Sequence, residues 1–434
     1  MDSLKKIIEN RIQTHLPNIT LRDNWFTVNF CEFEIVEYYG DVVKDYTATI
    51  QRALDLHDSV YIPYSENVIY ISKAIILNTG NRLKVHPDTR IVLVGDSLML
   101  RNRNMIDGHL KKISPNEYSD SDIYISGGIW EAPDTQKNWY GGKRDFYGCD
   151  SLLMMSNVRN VCIEDITFRN SNRMAIQIGN CSSFVVQNIC LENVERDGVH
   201  VEGPAKFGLI KNIRGKAGDD HVALNAWDWT LYSLTFGTIS DIIIEDIFCE
   251  KSYLWSEIRL LSGVKFFEDG EITDCSIFNI VFNNIHNVHT FKMYFQPEPP
   301  DMPTENRIAC SNANSFERML CGQMYNVFFD SIDMNYFPVS TYHSPKKAAF
   351  EIYTDIDGIF LRDISFDYPL KTDEFDNYSL IAVGKMNKMA PGTACHVGNV
   401  FVNNISDTNG NVYEQEKLIH IRDAYSEVTA FHID

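Results

Sequence analysis

The sequence contains none of the short motifs that mark several large enzyme classes. HExxH, GxSxG, GxxxxGK and GxGxxG are all absent from its 434 residues. These motifs supply zinc ligands, a nucleophilic serine or a phosphate-binding loop. Zinc peptidase, serine hydrolase and nucleotide-binding functions are therefore without support, and we expect no cofactor and no bound metal.

Basic residues are few compared with acidic ones. Lys and Arg together number 39, whereas Asp and Glu number 59, which gives a formal net charge of −20. A chain of this charge repels nucleic acid and anionic lipid surfaces, and it disfavours long polyanionic substrates. We therefore expect no nucleic-acid partner and no membrane association.

Long apolar runs and closely paired cysteines are also missing. The stretch MDSLKKIIENRIQTHLP at the start has no run long enough for a signal peptide or membrane anchor, and the ten cysteines include no CxxC pair. Both features predict reduced thiols and a cytoplasmic location. Leu4, Ile7, Ile8 and Ile12 instead suit one face of a short amphipathic helix.

Tight hairpin turns are scarce, although strand-like segments are common. Asn409-Gly410 is the one Asn-Gly dipeptide. Alternating apolar and polar segments, interrupted by Asn, Asp or Ser, recur at 157–170, 180–193, 239–250, 275–288, 324–335, 357–368 and 397–407. Parallel strands need crossover connections, and a repeat of about 22 to 25 residues leaves no room for a helix in each. The repeats predict an all-β fold, a right-handed parallel β-helix with coils stacked roughly 4.8 Å apart. A β-sandwich is the alternative, but it would need more hairpin turns.

Some segments of the chain do not follow the strand repeat. Ile50, Ala53 and Leu54 lie on one face of a predicted helix over 45–57, which would cover the open end of the solenoid as terminal repeats must. We expect residues 1–35 to form a helix and strand segment that packs on the solenoid, and residues 36–434 to form one β-helix domain. Loops near 295–320 and 337–349 lack the repeat, so they either shape a binding cleft or decorate the surface.

Three aspartates lie one predicted coil apart. Asp219 and Asp220 follow Asp197 by 22 and 23 residues, so they take corresponding places on adjacent coils. Close carboxylates raise at least one pKa, which provides an acid and a base, and an inverting glycosidase needs such a pair roughly 6.5–9.5 Å apart. Neighbouring Asp219 and Asp220 can face one cleft only at a strand end or a bulge, which Gly218 would permit. Alternatively, Asp197-Gly198 and Gly218-Asp219 merely form turns, because Asp-Gly and Gly-Asp are common turn-forming pairs.

Several stretches resemble the motifs of glycoside hydrolase family 28, the polygalacturonases and rhamnogalacturonases of the pectin-lyase-like superfamily. GDVVKDYTATIQRALD (40–55) resembles the opening GDGxxDDTxAIQxAID of pectin-degrading β-helix proteins. RDGVHVEG (196–203) resembles NTDGxD, and GDDHVALN (218–225) resembles GDDCIAI. The resemblance extends in order from about residue 36 to 265. It implies an inverting hydrolase in which Asp219 protonates the leaving oxygen while Asp197 and Asp220 hold and deprotonate water.

The sequence departs from the family at two points. No GHG lies between 221 and 258, and SEIRLLSG (256–263) stands where the family has RIK, so Arg259 matches but Leu261 replaces the lysine. In the polygalacturonases, that lysine helps hold the substrate carboxylate. Together with the net charge, its loss favours a carbohydrate substrate that is neutral or only partly uronic.

Further side chains are candidates for substrate binding. They are His200, Glu202, His221, Trp227, Trp229, Glu257, Arg259 and Lys292. The histidines could instead be structural and the indoles could fill the core. Arg259 could pair with Glu257 two residues away, and Glu257 is also a reserve acid. Lys292, with Tyr294, could restore the missing positive charge from a later coil.

Two other functions remain open. One is a Ca²⁺-dependent polysaccharide lyase, for which clustered carboxylates suit calcium and Arg259 would have to be the base. The other is a non-catalytic carbohydrate-binding β-helix. The sugar, the linkage, the exo or endo mode and the oligomeric state have no sequence signal.

Overall fold

The computed structural model describes residues 2–21, 23–95, 98–102, 117–133, 151–228, 235–250, 257–266, 272–296, 322–335, 348–368, 370, 379–384, 395–407, 409–411, 413, 418–422 and 426–433. These residues contain two helices, α1 (Asp2–His15) and α2 (Thr47–Leu56), and 28 strands. Neither helix is long and apolar enough to cross a membrane.

The strands run through the whole described chain. The first eleven are β1 (Phe26–Thr27), β2 (Glu34–Tyr38), β3 (Asp41–Asp45), β4 (Ser59–Ile62), β5 (Ile69–Ile71), β6 (Ile75–Leu77), β7 (Arg82–Val85), β8 (Arg90–Leu93), β9 (Leu100–Asn102), β10 (Asp120–Ser126) and β11 (Ile129–Glu131). The next nine are β12 (Ser151–Glu164), β13 (Thr167–Ser171), β14 (Met174–Val194), β15 (Val199–Ala217), β16 (Asp220–Asn225), β17 (Ile239–Cys249), β18 (Glu257–Phe266), β19 (Ile272–Cys275) and β20 (Ile277–Val288). The last eight are β21 (Thr290–Gln296), β22 (Met324–Met334), β23 (Ala348–Tyr353), β24 (Ile356–Phe366), β25 (Ser379–Val383), β26 (His396–Asp407), β27 (Ile419–Ile421) and β28 (Glu427–Ile433).

Each coil pairs in parallel with the coils before and after it. Strand β15 pairs with β14 on one side, and with β16 and β17 on the other. Strands β16, β18, β21, β23, β25 and β27 then continue one face of the solenoid in that order. The pairs β2–β3 and β18–β19 are antiparallel. The predicted parallel β-helix is confirmed, and each of the seven repeated segments contains strand.

Asparagine and aspartate turn the chain at the corners of the coils. Asn188 and Asn212 have positive φ values of 57° and 52°, a conformation that these short polar residues tolerate better than most. Asn212 donates its side-chain amide to Asn188, which in turn donates to Asp165 on the previous coil. This is why polar residues interrupt the alternating pattern at regular places.

The coils differ in length along the chain. Asp165 and Asn188, which lie one coil apart, are separated by 23 residues, whereas Asp246 and Asn284 are separated by 38 and Asn279 and Asn326 by 47. The predicted period of about 22 to 25 therefore holds only for the first of these pairs, because later coils carry insertions between their faces. The expected loops near 295–320 and 337–349 lie outside the described residues except at their edges, where 295–296 end β21 and 348–349 begin β23.

Both N-terminal helices contact the β-helix. Helix α2 buries Ile50, Ala53 and Leu54 in the main core, as the pattern predicts. Helix α1 lies against the outside of the solenoid, where Ile8 and Ile12 join a second apolar cluster on β14, β15, β17, β20, β22 and β24. Leu4 and Ile7 are exposed, so the apolar face expected for α1 is narrower than predicted.

Candidate active site

The three predicted aspartates meet at one edge of the β15–β16–β18 face. Asp197 lies two residues before β15, Asp220 is the first residue of β16, and Asp219 directly precedes it. One carboxylate oxygen from each residue lies within 4.8 Å of the other two. The stacking inferred from the spacing is therefore present.

A bulge turns the two neighbouring aspartates toward the same site. Asp220 pairs with Glu257, but the next pair is Val222 with Ile258, so His221 is an extra residue in its strand. Gly218 permits the turn before it, because a Cβ at this position would lie 2.2 Å from the Glu195 carbonyl oxygen. A bulge and a glycine are the local features that the sequence predicted.

The three carboxylates differ in their access to solvent. The Asp219 side chain is 31% exposed, whereas that of Asp197 is 2% exposed and that of Asp220 is fully buried. Only Asp219 of the three can reach a bound molecule directly. The other two lie behind it.

Arg259 provides the positive charge beside the carboxylates. Its Nη2 atom lies 3.2 Å from Oδ1 of Asp219 and also forms an ion pair with Asp220. Glu257, the alternative partner considered for Arg259, instead forms an ion pair with Lys292 from the next coil. Arg259 and Lys292 face each other directly in the strand register, as expected if Lys292 adds charge from a later coil.

Burial and charge separate the protonation states of two of these carboxyls. Burial raises the pKa of Asp220 well above its ordinary value, with Asp219 and Asp197 adding to the effect and Arg259 opposing it. Burial acts in the same direction on Asp197, but the hydrogen bond and charge of His200 lower its pKa to about 2. The site thus contains one buried carboxylate held in the ionised form and one that favours the proton.

His200 lies below the site rather than on its surface. Its Nδ1 is 2.6 Å from Oδ2 of Asp197, and its Nε2 is 3.4 Å from Oδ2 of Asp228 and 3.5 Å from Oε1 of Glu202. Burial alone would lower the pKa of His200, but the hydrogen bonds to the three carboxylates raise it well above the ordinary value. For Glu202, burial raises the pKa, and His200 opposes this effect.

Several of the residues predicted to contact the substrate are buried. His200, Glu202, His221 and Glu257 are at most 1% exposed, and Trp227 is 2% exposed. Glu202 accepts hydrogen bonds from Gln177 and the Thr235 amide, and His221 lies 2.9 Å from the Gly215 carbonyl oxygen. Trp227 packs in the core, edge to face with Phe236, so its ring is not available to stack on a sugar. Trp229 lies outside the described residues.

Sequence reasoning missed part of the polar network. Asp228, which was not among the predicted site residues, is buried and accepts a hydrogen bond from Asn225 at 2.8 Å. On a later coil of the same face, Glu351 accepts hydrogen bonds from Tyr294 and Tyr353 and pairs with Arg422 at 3.2 Å. The separation of 71 residues between Glu351 and Arg422 gave no local signal.

Comparison with known proteins supports the architecture. No protein-family model and no curated protein sequence matches the chain. Among solved structures, it is similar to a hyperthermoactive exopolygalacturonase from Thermotoga maritima, with a TM-score of 0.59 and 12% identity over 99% of this chain and 96% of that one. A family 28 exopolygalacturonase from Yersinia enterocolitica has a TM-score of 0.48 and 11% identity over 95% and 78% of the two chains. A polygalacturonase from Erwinia carotovora has a TM-score of 0.45 and 12% identity over 95% and 100%. The first likeness shows that this chain has the fold of the Thermotoga exopolygalacturonase, a right-handed parallel β-helix.

Proposed function

We propose that this protein is a glycoside hydrolase that cleaves oligosaccharides with inversion at the anomeric carbon. The observation that carries the proposal is the cluster of Asp197, Asp219 and Asp220, whose carboxylate oxygens lie within 4.8 Å of one another in unequal environments. General acid–base catalysis needs a proton donor and a proton acceptor in one cleft. The fold shared with an exopolygalacturonase and the family 28 motifs support the same reaction class.

We assign different catalytic roles to the three aspartates because their side chains differ in solvent exposure. Asp219 reaches solvent, which supports its proposed role as the acid that protonates the leaving oxygen. Asp197 and Asp220 lie deeper. Asp197, which is held in the ionised form, would deprotonate the attacking water, and Asp220, which favours the proton, would help to hold it. A covalent mechanism would need an exposed nucleophile in addition to the exposed acid, and Asp219 is the only one of the three that is accessible.

The spacing of the carboxylates does not by itself predict inversion, so the stereochemistry of the product tests the proposed mechanism. The nearest oxygens are closer than the roughly 6.5–9.5 Å separation that is general for the carboxyl groups of inverting pairs. The proposal of inversion therefore depends on the burial of Asp197 and Asp220 rather than on their separation. The anomeric form of the first product distinguishes the two mechanisms.

We propose a neutral or only partly uronic sugar as the substrate. Arg259 is already paired with Asp219 and Asp220, and Lys292 is already paired with Glu257. A substrate carboxylate would have to compete with these acids for either cation. Leu261, which stands where the family has lysine, is 4% exposed and offers no charge.

The same ion pairs argue against polysaccharide lyase activity. A lyase needs a deprotonated base, but the charges of Asp220 and Asp219 raise the pKa of Arg259 well above its ordinary value, against the effect of burial. The pKa of Lys292 is likewise raised, with Glu257 as its main charged partner, although burial opposes the shift. Both side chains would remain protonated when a base is required.

The experiment is a screen of neutral and uronic oligosaccharides with three proteins. The wild type, Asp219→Asn and Asp88→Asn are compared without added metal, and products are followed by mass and reducing ends. Asp88 is an exposed aspartate far from the site in sequence and supplies the matched control. We expect saturated products from the wild type and Asp88→Asn and none from Asp219→Asn, with no effect of a chelator. Unsaturated products that absorb in the ultraviolet would overturn the proposal in favour of a lyase, and binding without cleavage would favour a carbohydrate-binding protein.

A further inference from the structure

His200 occupies a buried position between carboxyl groups of two adjacent coils. It lies on β15, 1% exposed, with Nδ1 directed at Asp197 and Nε2 near Glu202 and Asp228. The resemblance that identifies Asp197 has an aspartate in the motif NTDGxD where this chain has His200. A carboxylate is therefore replaced by a group that can carry positive charge.

The surrounding groups orient the carboxylates around the imidazole. Gln177, on the previous coil, donates to Oε1 of Glu202 at 2.8 Å, and the Thr235 amide donates to Oε2 at 2.8 Å. Asn225, on the next coil, donates to Asp228 at 2.8 Å. On the far side of Asp197, the Asp220 amide approaches Oδ1 at 3.4 Å, and the charges of Arg259 and Arg196 also act on this carboxylate.

This arrangement fits an imidazolium better than a neutral ring. A neutral imidazole has one N–H donor and one acceptor, whereas the charged form has two donors. Here both ring nitrogens face carboxylate oxygens, which are acceptors when ionised. A buried carboxylate such as Asp197 also needs a hydrogen-bonded partner of opposite charge to remain ionised away from water.

We propose that His200 is a positioning residue that acts as an imidazolium, keeping Asp197 ionised and its Oδ2 atom fixed, while Asp228 and Glu202 retain the proton on Nε2. The inference rests on the proposed hydrolase function, because it concerns the carboxylate that would act as base. His200 itself does not touch substrate.

The pH dependence of kcat/KM tests this role. In the variant His200→Asn, the side-chain amide can still donate a hydrogen bond toward Asp197 but carries no charge. If Asp197 must be ionised, activity falls in acid as it becomes protonated, and loss of the nearby cation moves this fall to higher pH. An opposite charge nearby typically lowers a carboxyl pKa by 1 to 3 units, so we expect His200→Asn to move the acidic limb upward by at least about one unit. One pH unit below the new limb, the variant then retains about a tenth of its plateau activity.

Two further variants separate this effect from general damage. Asp228→Asn removes one of the charges that hold the imidazolium, and it should move the limb in the same direction by less. His286→Asn is the matched control, since His286 makes a 2.8 Å contact with Asp333 on another face of the solenoid, and it should not move the limb. Equal loss of activity at every pH in His200→Asn, with the limb in place, would mean that His200 is only structural.

A measurement without substrate keeps the two proposals distinct. ¹⁵N NMR of the histidine rings reports the charge of His200 directly. The His200 signal is assigned by its absence in His200→Asn or by its change in Asp228→Asn. We expect both ring nitrogens of His200 to remain protonated at pH 7.5, whereas a neutral ring would overturn the inference. If no oligosaccharide is cleaved, the hydrolase proposal fails and His200 loses its catalytic role, but the NMR result still decides whether it is the charged partner of Asp197.

Discussion

His221 should make the protein less stable in acid, and its replacement should remove that loss. The side chain is fully buried beside the Gly215 carbonyl oxygen, and burial lowers its pKa from 6.5 to about 4. Between pH 6.5 and pH 4, His221 is therefore protonated in the unfolded chain but neutral in the folded chain. The stability contributed by the neutral ring is complete above pH 6.5 and is lost as the pH falls toward 4. Between pH 7 and pH 4.5 the loss is about 2 kcal/mol, taking 1.36 kcal/mol for each pKa unit.

The assay is urea unfolding at pH 7 and pH 4.5, followed by far-UV circular dichroism. His221→Gln retains an amide that can donate to the Gly215 carbonyl, but it does not titrate. The difference in unfolding free energy between the two pH values should shrink by about 2 kcal/mol in this variant. His432→Gln, at an exposed position, should keep the wild-type difference. An unchanged pH dependence in His221→Gln would refute the reasoning that this histidine is buried in its neutral form.

Three further substitutions test the packing of the β-helix by urea unfolding. Lys292→Met should lower the free energy of unfolding by about 3–5 kcal/mol, because it leaves Glu257 buried without its ion pair. Adding Glu257→Gln should recover most of this loss, and no recovery in the double variant would contradict the pairing. Asn188→Ala should cost about 1–2 kcal/mol, since it removes a hydrogen bond at a positive-φ corner, whereas Asn188→Gly should cost less because glycine accepts that conformation. Ile12→Ala should destabilise the docking of α1 by about 2–5 kcal/mol and speed proteolysis near the N-terminus, whereas Ile7→Ala at an exposed position should do neither.

Local patterns were enough to predict the strands and to place the three candidate aspartates on adjacent coils. Alternating apolar residues mark strands wherever one face is buried, and the asparagines between them mark corners at positive φ. The spacing of Asp197 from Asp219 and Asp220 placed them on adjacent coils because both coils there have the short period. The face of α2 was equally readable, since Ile50, Ala53 and Leu54 follow helical spacing.

Contacts between coils could not be predicted in the same way. The insertions after Asp220 remove the regular period, so nothing in the sequence indicated that Lys292 would reach Glu257 or that Arg259 would be held by Asp219. His200 was taken for a substrate contact because alternation gives only the face of a strand. It does not show whether neighbouring carboxylates will cover the side chain that points outward. For Trp227 the sequence left both the core and the cleft open, since two indoles two residues apart do not indicate which side of a turn is the core.

The most direct test of the account is the anomeric configuration of the first product, followed by ¹H NMR with the best oligosaccharide from the screen. We predict that the wild type releases the inverted anomer before mutarotation and that Asp219→Asn releases no product. Release of the retained anomer would contradict it, because a covalent intermediate would then have to form on a carboxylate that this structure places out of reach.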